Sequence, residues 1–347
     1  GGLAFASEMK CLNFAKNIVE FPPGSTYTTG IGFESFYSIP TPSQSDISLP
    51  EIISLIKTNV ENCVQIRLVS DVPVGVFLSG GLDSSVVAAV MKKFIPELHS
   101  FTVGVEGSND ILSAGKVAEH LGTIHHEYIY DEAEMVNVLP KVIYHLESFD
   151  APLVRSAVPN YFVSRLAKGV VKVLLSGEGA DEIFCGYEYF KKYKTADEVN
   201  QESHRITSNL HNTNLQRTDR ITMSHSIEAR VPFLDPELID FAFRIPFEFK
   251  TPLFNNTEKW LLRKAFEDHL PEEIVWRKKQ KFSDGAGSMK ILESVAESEI
   301  SDVEFSSRKN GNLDFIRSKE ELYYFNIFNS YYNYLDPKKV LGFTNDY

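Results

Sequence analysis

Cysteine is scarce in this chain of 347 residues: Cys11, Cys63 and Cys185 stand far apart, odd in number and without CxxC spacing. That pattern supports neither a disulfide framework nor a zinc site, and it fits a reducing compartment. Missing too is any apolar run approaching the roughly eighteen residues that a membrane-spanning helix needs. No charged-then-apolar leader opens the chain, so neither membrane insertion nor export is expected, and the expected location is cytoplasmic. On that reading Asn255-Asn256-Thr257 is an accidental glycosylation sequon. Positive charge is in deficit: 35 Lys and Arg against 47 Asp and Glu leave a net charge of −12. Such a balance argues against nucleic acid as the partner, because neutralising phosphates takes a basic surface. Repeats and low-complexity segments are absent as well.

What is present is an ordinary globular composition, 43% hydrophobic and 24% charged, long enough for a substantial core. The first forty residues differ from the rest. "GGLAFASEMKCL" reads as a strand and then a polar turn, and "IVEFPPGSTYTT" as a strand broken by Pro22-Pro23-Gly24. Pro50 starts a predicted helix whose Ile52, Ile53, Leu55, Ile56, Val60 and Val64 recur at helical spacing. From there short apolar runs, "VGVFLS", "HSFTVGV" and "VKVLLS", alternate with amphipathic helices. This is the order of β-α-β units and predicts an α/β chain on a buried parallel sheet. One of those helices, "SAGKVAEHLGT", is closed by Gly122. Beyond about residue 187 strand signals vanish and a helical C-terminal part is expected.

"VFLSGGLDSSVVAAV", residues 76 to 90, carries the chemistry. A strand, a Gly-rich turn and a helix in that order put backbone N–H groups at a positive helix end, which is an anion site. Ser79, Ser84 and Ser85 add hydroxyls, and Gly80 and Gly81 allow close approach of the backbone. A phosphate is the expected anion. The loop matches neither the Walker A pattern nor the dinucleotide fingerprint, and no lysine follows its glycines. Asp83 repels a phosphate unless a cation such as Mg²⁺ lies between them.

SGGLDSS in this context resembles the signature of the pyrophosphate-loop ATP pyrophosphatases, an adenine nucleotide α-hydrolase-like fold. "LLSGEGADEIFCGYEYF" (174–190), "DRITMSHSIEARVPFLD" (219–235), "EKWLLRKAFEDHLP" (258–271) and "WRKKQKFSDGAG" (276–287) narrow the likeness to the synthetase domain of the asparagine synthetases. It covers nearly the whole chain in the family's order. The resemblance implies residues 1–40 as the end of a glutaminase domain or a linker remnant, and 41–347 as the ATP-dependent synthetase domain. The glutaminase nucleophile of the family, a cysteine at the mature N-terminus, has no counterpart in Gly1-Gly2, so glutamine hydrolysis is not expected of this chain. The implied reaction joins aspartate and ammonia through β-aspartyl-AMP, with ATP and Mg²⁺. Ammonia comes from glutamine where a glutaminase domain is present, and a homodimer is an expectation of the family. Two alternatives stay open at this point: a β-lactam synthetase-like amidoligase, and a nucleotide-binding descendant without turnover.

By the same resemblance Ser79 to Ser85, with Leu82 among them, hold the pyrophosphate half of ATP. Leu78 and Val103 line the adenosine pocket, and Ser176, Gly177, Glu178 and Gly179 form a second strand-to-helix turn. Glu178 serves formation of the aspartyl-AMP intermediate. Asp83 and Asp181 are the expected metal ligands, although acidic residues in a first helical turn, Glu182 included, are favoured by the dipole alone. Lys259, in a helix whose Trp260, Leu261, Leu262 and Phe266 face the core, supplies the missing cation to the phosphates. Asp150, Arg155, Ser156 and Arg230 are candidates for binding aspartate, though an Arg in "IEARVPF" serves equally well as a buried structural pair. "RKKQK" (277–281) reads as a loop over the phosphates or a solvated face. His125 and His126, adjacent on a strand, point to opposite faces and do not share an ion.

Overall fold

The computed structural model describes residues 2–41, 46–251, 256–311 and 313–344; Asn255 of the sequon lies outside them. In chain order a hairpin, β1 (Ser25–Thr28) and β2 (Gly32–Ser35), precedes the long helix α1 (Leu49–Ile66). Then come β3 (Val74–Phe77), α2 (Leu82–Lys92), β4 (His99–Gly104), α3 (Asn109–Leu121) and β5 (Ile124–Ile129). Helices α4 (Glu132–Leu146) and α5 (Ala151–Ala167) lead to β6 (Val173–Leu175) and the one-turn α6 (Ala180–Ile183). After α7 (Ala196–Ser208) and α8 (Asn214–Met223) comes β7 (Glu228–Arg230), and the chain is helical beyond it.

The apolar runs become neighbouring strands because each is buried on both faces. The five-stranded sheet has the order β5-β4-β3-β6-β7 and every pair is parallel. On one side Val76, Val173 and Leu175 pack with Ile52, Ile56 and Val60 of α1 and Val86 and Val90 of α2. On the other, Phe101, Val103 and Leu174 pack with Leu139 and Val142 of α4, Val158 and Phe162 of α5, and Phe328. Each such fully buried side chain contributes about 1.5–3 kcal/mol. Pro50 does open α1, and Gly122 closes α3 with φ +64. The chain leaves β3 toward β4 on one side and returns to β6 on the other. The carboxyl ends of β3, β4 and β6 therefore border the crevice in which open parallel sheets bind ligands.

Two expectations fail. Residues 2–6 and 18–22 form no strand, and β1 and β2 pair only with each other. An extended segment needs a ladder partner for its N–H and C=O groups, and the described residues give these segments none. Strands also do not end near residue 187: β7 adds to β6 through Val173, Leu174 and Leu175. Three residues are too short for alternation to announce them. His125 and His126 do face different partners, Ser100 Oγ at 2.9 Å and His99 Nδ1 at 2.8 Å.

Candidate active site

Two strand-to-helix turns meet at the crevice. After β3, Leu78 keeps the sheet going by donating its N–H to Phe101 O at 2.9 Å. Ser84 Oγ then accepts from Ser79 N–H (3.2 Å) and donates to Gly81 O (3.2 Å), so α2 begins tightly wound. Gly80 has φ +66, and a Cβ there would lie 2.4–2.5 Å from backbone atoms of Ser113 and Ala114 in α3. The glycine is thus required for packing against α3, and Gly80 does not line the cleft. Gly177, after β6, would place a Cβ 2.8 Å from backbone atoms of Asp83 and Ser84. Turn packs directly on turn, and this close approach brings Asp83 and Asp181 to one point.

At that point sits Lys259. Its Nζ donates to Asp83 Oδ1 and Oδ2 at 2.8 and 2.6 Å and to Asp181 Oδ1 at 2.6 Å. Lys259 is not inside a helix as expected; it is the residue capping the helix Trp260–Phe266, left-handed with φ 52 and 2% exposed. Such a backbone costs about 1–2 kcal/mol in a residue with a side chain, and the cost is offset by the two carboxylates it meets. Lys279, from the basic run, donates to Asp181 Oδ2 at 2.5 Å and lies 3.8 Å from Asp83. Burial alone would raise the Asp181 carboxyl, but the ammonium groups of Lys259 and Lys279 override it and hold the group below the usual carboxylate range. Burial would likewise lower Lys279, and Asp181 and Asp83 drive it upward instead.

Glu178 is gripped by Arg217 of α8, whose Nη2 lies 2.5 Å from Glu178 Oε1. Arg217 is 4% exposed and its Nε–H has no hydrogen-bond partner among the described residues. Arg277 donates to Asp110 Oδ1 (3.1 Å), and burial pushes Asp110 up to about 6 against the pull of Arg277. Arg263 fastens the 275–277 segment by donating to the carbonyls of Val275 and Arg277.

These groups line a cleft of about 1050 Å³. One end is apolar, with Phe77, Leu78, Phe101, Val103 and Val163. The other carries six cations (Arg217, Lys259, Arg263, Arg277, Lys278, Lys279) against four carboxylates (Asp83, Asp110, Glu178, Asp181). In a chain of net charge −12, that is a local excess of positive charge suited to an anionic ligand with an apolar end. A second cavity of about 1310 Å³ adjoins it, sharing Glu178, Asp181, Arg217, Lys279 and Phe282 as a common wall. Glu182 faces that second cavity, accepts from Tyr187 Oη at 2.6 Å, and is pushed up to about 7 by burial and then by Asp181.

Of the expected residues, Leu78, Ser79, Gly81, Leu82, Asp83, Ser84, Val103, Ser176, Gly177, Glu178, Asp181 and Lys259 all line the cleft. Arg155 and Ser156 line the second cavity, Arg155 being already paired with Glu320 and Glu293. Five others stay out, Gly80 among them, packed against α3. Ser85 Oγ is enclosed in α2 with no partner among the described residues, and Gly179 turns the chain into α6 with φ +95. Asp150 is fully buried, capping α5 at Leu153 N–H and bound to Thr344 and Arg317. Arg230 donates to the carbonyls of Arg67 (2.6 Å) and Val69 (2.8 Å), the structural alternative. The sequence gives no local sign of Arg217, an arginine on an amphipathic helix. Lys279 matches the family's segment without a task legible in the sequence; it turns in to Asp181, while Lys278 and Lys281 of the same basic run stay exposed.

Comparison with known proteins agrees with the geometry. The asparagine synthase family model matches residues 55–197 and 191–326. "Asparagine synthetase [glutamine-hydrolyzing] 1" of Arabidopsis thaliana is 42% identical over 306 residues, 83% of this chain and 52% of the plant protein. The corresponding synthetase 2 of Oryza sativa subsp. japonica is 38% identical over 99% of the chain and 61% of its own length. The probable enzyme of Schizosaccharomyces pombe is 38% identical over 93% and 64%. The chain thus spans between about half and two thirds of the length of these relatives. Among solved structures, a U34-tRNA thiolase from Methanococcus maripaludis superposes with a TM-score of only 0.36 at 14% identity, which carries no argument. With the family model covering well over half of it, the chain belongs to the asparagine synthase family.

Proposed function

We propose that this chain makes asparagine from aspartate and ammonia at the expense of ATP, with residues 41–347 as the synthetase unit. The observation that carries the reading is the meeting of Asp83 and Asp181, one from each glycine turn, around Lys259 and Lys279 in the cleft. The adenine and ribose of ATP take the apolar end near Leu78 and Val103, and the triphosphate crosses Ser79 to Ser84 toward the lysines. The β-carboxylate oxygen of aspartate attacks the α-phosphorus, the bond from that phosphorus to the bridging oxygen breaks, and pyrophosphate leaves. Lys259 and Lys279 hold two positive charges where the departing pyrophosphate becomes more negative, which lowers the barrier. Ammonia then attacks the acyl carbon, the bond to AMP breaks, and one proton is given up. Glu178, on the wall between the two cavities and oriented by Arg217, is placed to take that proton. The second cavity, with Arg155 and Ser156 in its wall, is the side from which aspartate reaches the phosphate.

The residues fit a magnesium ion. Asp83 and Asp181 are hard oxygen donors that converge on one ammonium, and Mg²⁺ is commonly held by one or two carboxylates together with substrate phosphates. Bound there, it would supply further neutralisation of phosphate charge.

The test is aspartate-dependent exchange of labelled pyrophosphate into ATP, followed by product analysis after ammonium is added. Exchange that needs aspartate, with asparagine appearing only on ammonium addition, is the expected result. A folded chain that exchanges with another carboxylate and not with aspartate would replace this reading with a different amidoligase.

A further inference from the structure

Helix α8 is held at both ends by the N-terminal segment while its middle reaches the active site. At the far end, Glu147 is fully buried at the close of α4. It accepts the backbone N–H groups of Met9 and Lys10, both at 2.8 Å, and it pairs with Arg220 of α8. At the near end, Glu20 pairs with His211 and accepts from Asn212 Nδ2 at 3.1 Å, in the short turn that runs into α8. A third tie, Gln216 Nε2 to Leu146 O at 2.8 Å, fixes α8 against the end of α4. Between these ties, one turn before Arg220, Arg217 reaches across to Glu178. Residues three apart share a helix face, so a shift of α8 moves Arg220 and Arg217 together.

We propose that α8 is a positioning strut: the segment around residues 8–20, through Glu147 with Arg220 and through Glu20 with His211 and Asn212, sets where Arg217 holds the Glu178 carboxylate. Glu20, Glu147 and Arg220 are then positioning residues that touch no substrate, and their catalytic consequence rests on the function proposed above. A carboxylate that must meet a reacting atom is sensitive to displacements of an ångström. A buried charge pair is suited to the task because it tolerates few alternative geometries.

The test compares the whole chain with Arg220→Met, Arg220→Lys and Glu20→Ala by amide hydrogen exchange and by aspartate-dependent pyrophosphate exchange. Arg220→Met is expected to lower protection of residues 176–179 and 214–223 by about tenfold while β3 and β4 keep theirs. Pyrophosphate exchange should lose about tenfold in kcat with KM for ATP changed less than about twofold, and Arg220→Lys should recover most of both. Glu20→Ala, at an exposed site, should move the same readouts by about threefold, and it decides the matter if Arg220→Met does not fold. Unchanged protection at 176–179 in variants whose strands stay protected overturns the strut. Failure of the unmodified chain to exchange pyrophosphate with aspartate overturns the proposed reaction instead, and the hydrogen-exchange result still decides the strut.

Discussion

Asp181 and Asp150 each lie 2.5 Å from a cationic nitrogen, yet their acidities move in opposite directions. Asp181 meets two ammonium groups, Lys259 and Lys279, which override the effect of burial and keep it ionised. Asp150 has one guanidinium, Arg317, and shares it with the buried Glu321. There burial prevails over the hydrogen bond from Thr344 and the charge of Arg317, Glu321 adds to it, and Asp150 is pushed up to about 6. The contrast is one of stoichiometry. One cation divided between two carboxylates leaves Asp150 short of positive charge, whereas the two cations shared by Asp83 and Asp181 match their carboxylates and keep Asp181 ionised. The first arrangement fastens Thr344 and the helix Lys319–Tyr332 to α5; the second faces the cleft.

Removing a cation from the active cluster should produce the largest effect. Lys259→Ala leaves Asp83 and Asp181 facing each other with only Lys279 between them, and takes one of two charges from the leaving pyrophosphate. Aspartate-dependent pyrophosphate exchange should fall by about 10²–10³-fold, the scale for losing one preorganised charge-stabilising group, with the far-ultraviolet circular dichroism unchanged. Activity within about threefold of the parent would remove Lys259 from the mechanism.

The tie should respond to pH instead. In the unfolded chain Asp150 titrates near its ordinary 3.8; in the folded chain it keeps its proton up to about 6. Between those values the folded chain holds the extra proton, so its stability falls as pH rises through the window and levels off above it. Measured by urea unfolding against Asp150→Asn, which has no such proton, the parent should lose about 2 kcal/mol of relative stability between about pH 4 and about pH 7. A difference independent of pH would mean that Asp150 is ionised throughout, and that the contrast with Asp181 is wrong.

The same contrast explains what could be read in advance. Ser79 to Ser84, Ser176 to Glu178 and Asp181 lie in two contiguous turns, and a contiguous turn has a local chemistry that residue order reveals. The central strands β3, β4 and β6 were equally legible, because strands buried on both faces are unbroken apolar runs; the three-residue β7 was not. Arg217 carries no local sign and Lys279 no legible task, since each depends on a partner far along the chain, Glu178 and Asp181 respectively. Asp150 and Arg230 illustrate the other direction. Their charges suggested a substrate, but α5 needed a cap at Asp150, and the Arg67 and Val69 carbonyls beside the sheet's last strand needed a donor. Local order cannot tell a charge that satisfies the fold from one that waits for a ligand.

Arg230 offers the smallest and sharpest form of that distinction. Its guanidinium bonds two backbone carbonyls and Glu228 at the edge strand β7 and lines neither cavity. Arg230→Ala should therefore cost about 1–2 kcal/mol of stability, the range for lost hydrogen bonds from a charged donor near the surface. KM for aspartate in pyrophosphate exchange should stay within about twofold of the parent, because no group near the substrate moves. The informative outcome is the reverse pair. An aspartate KM raised by about tenfold with unfolding unchanged would mean that β7 swings Arg230 toward the second cavity when substrate binds. The edge strand would then belong to the site, and the division between fold-satisfying and ligand-facing charge would have to be redrawn at β7.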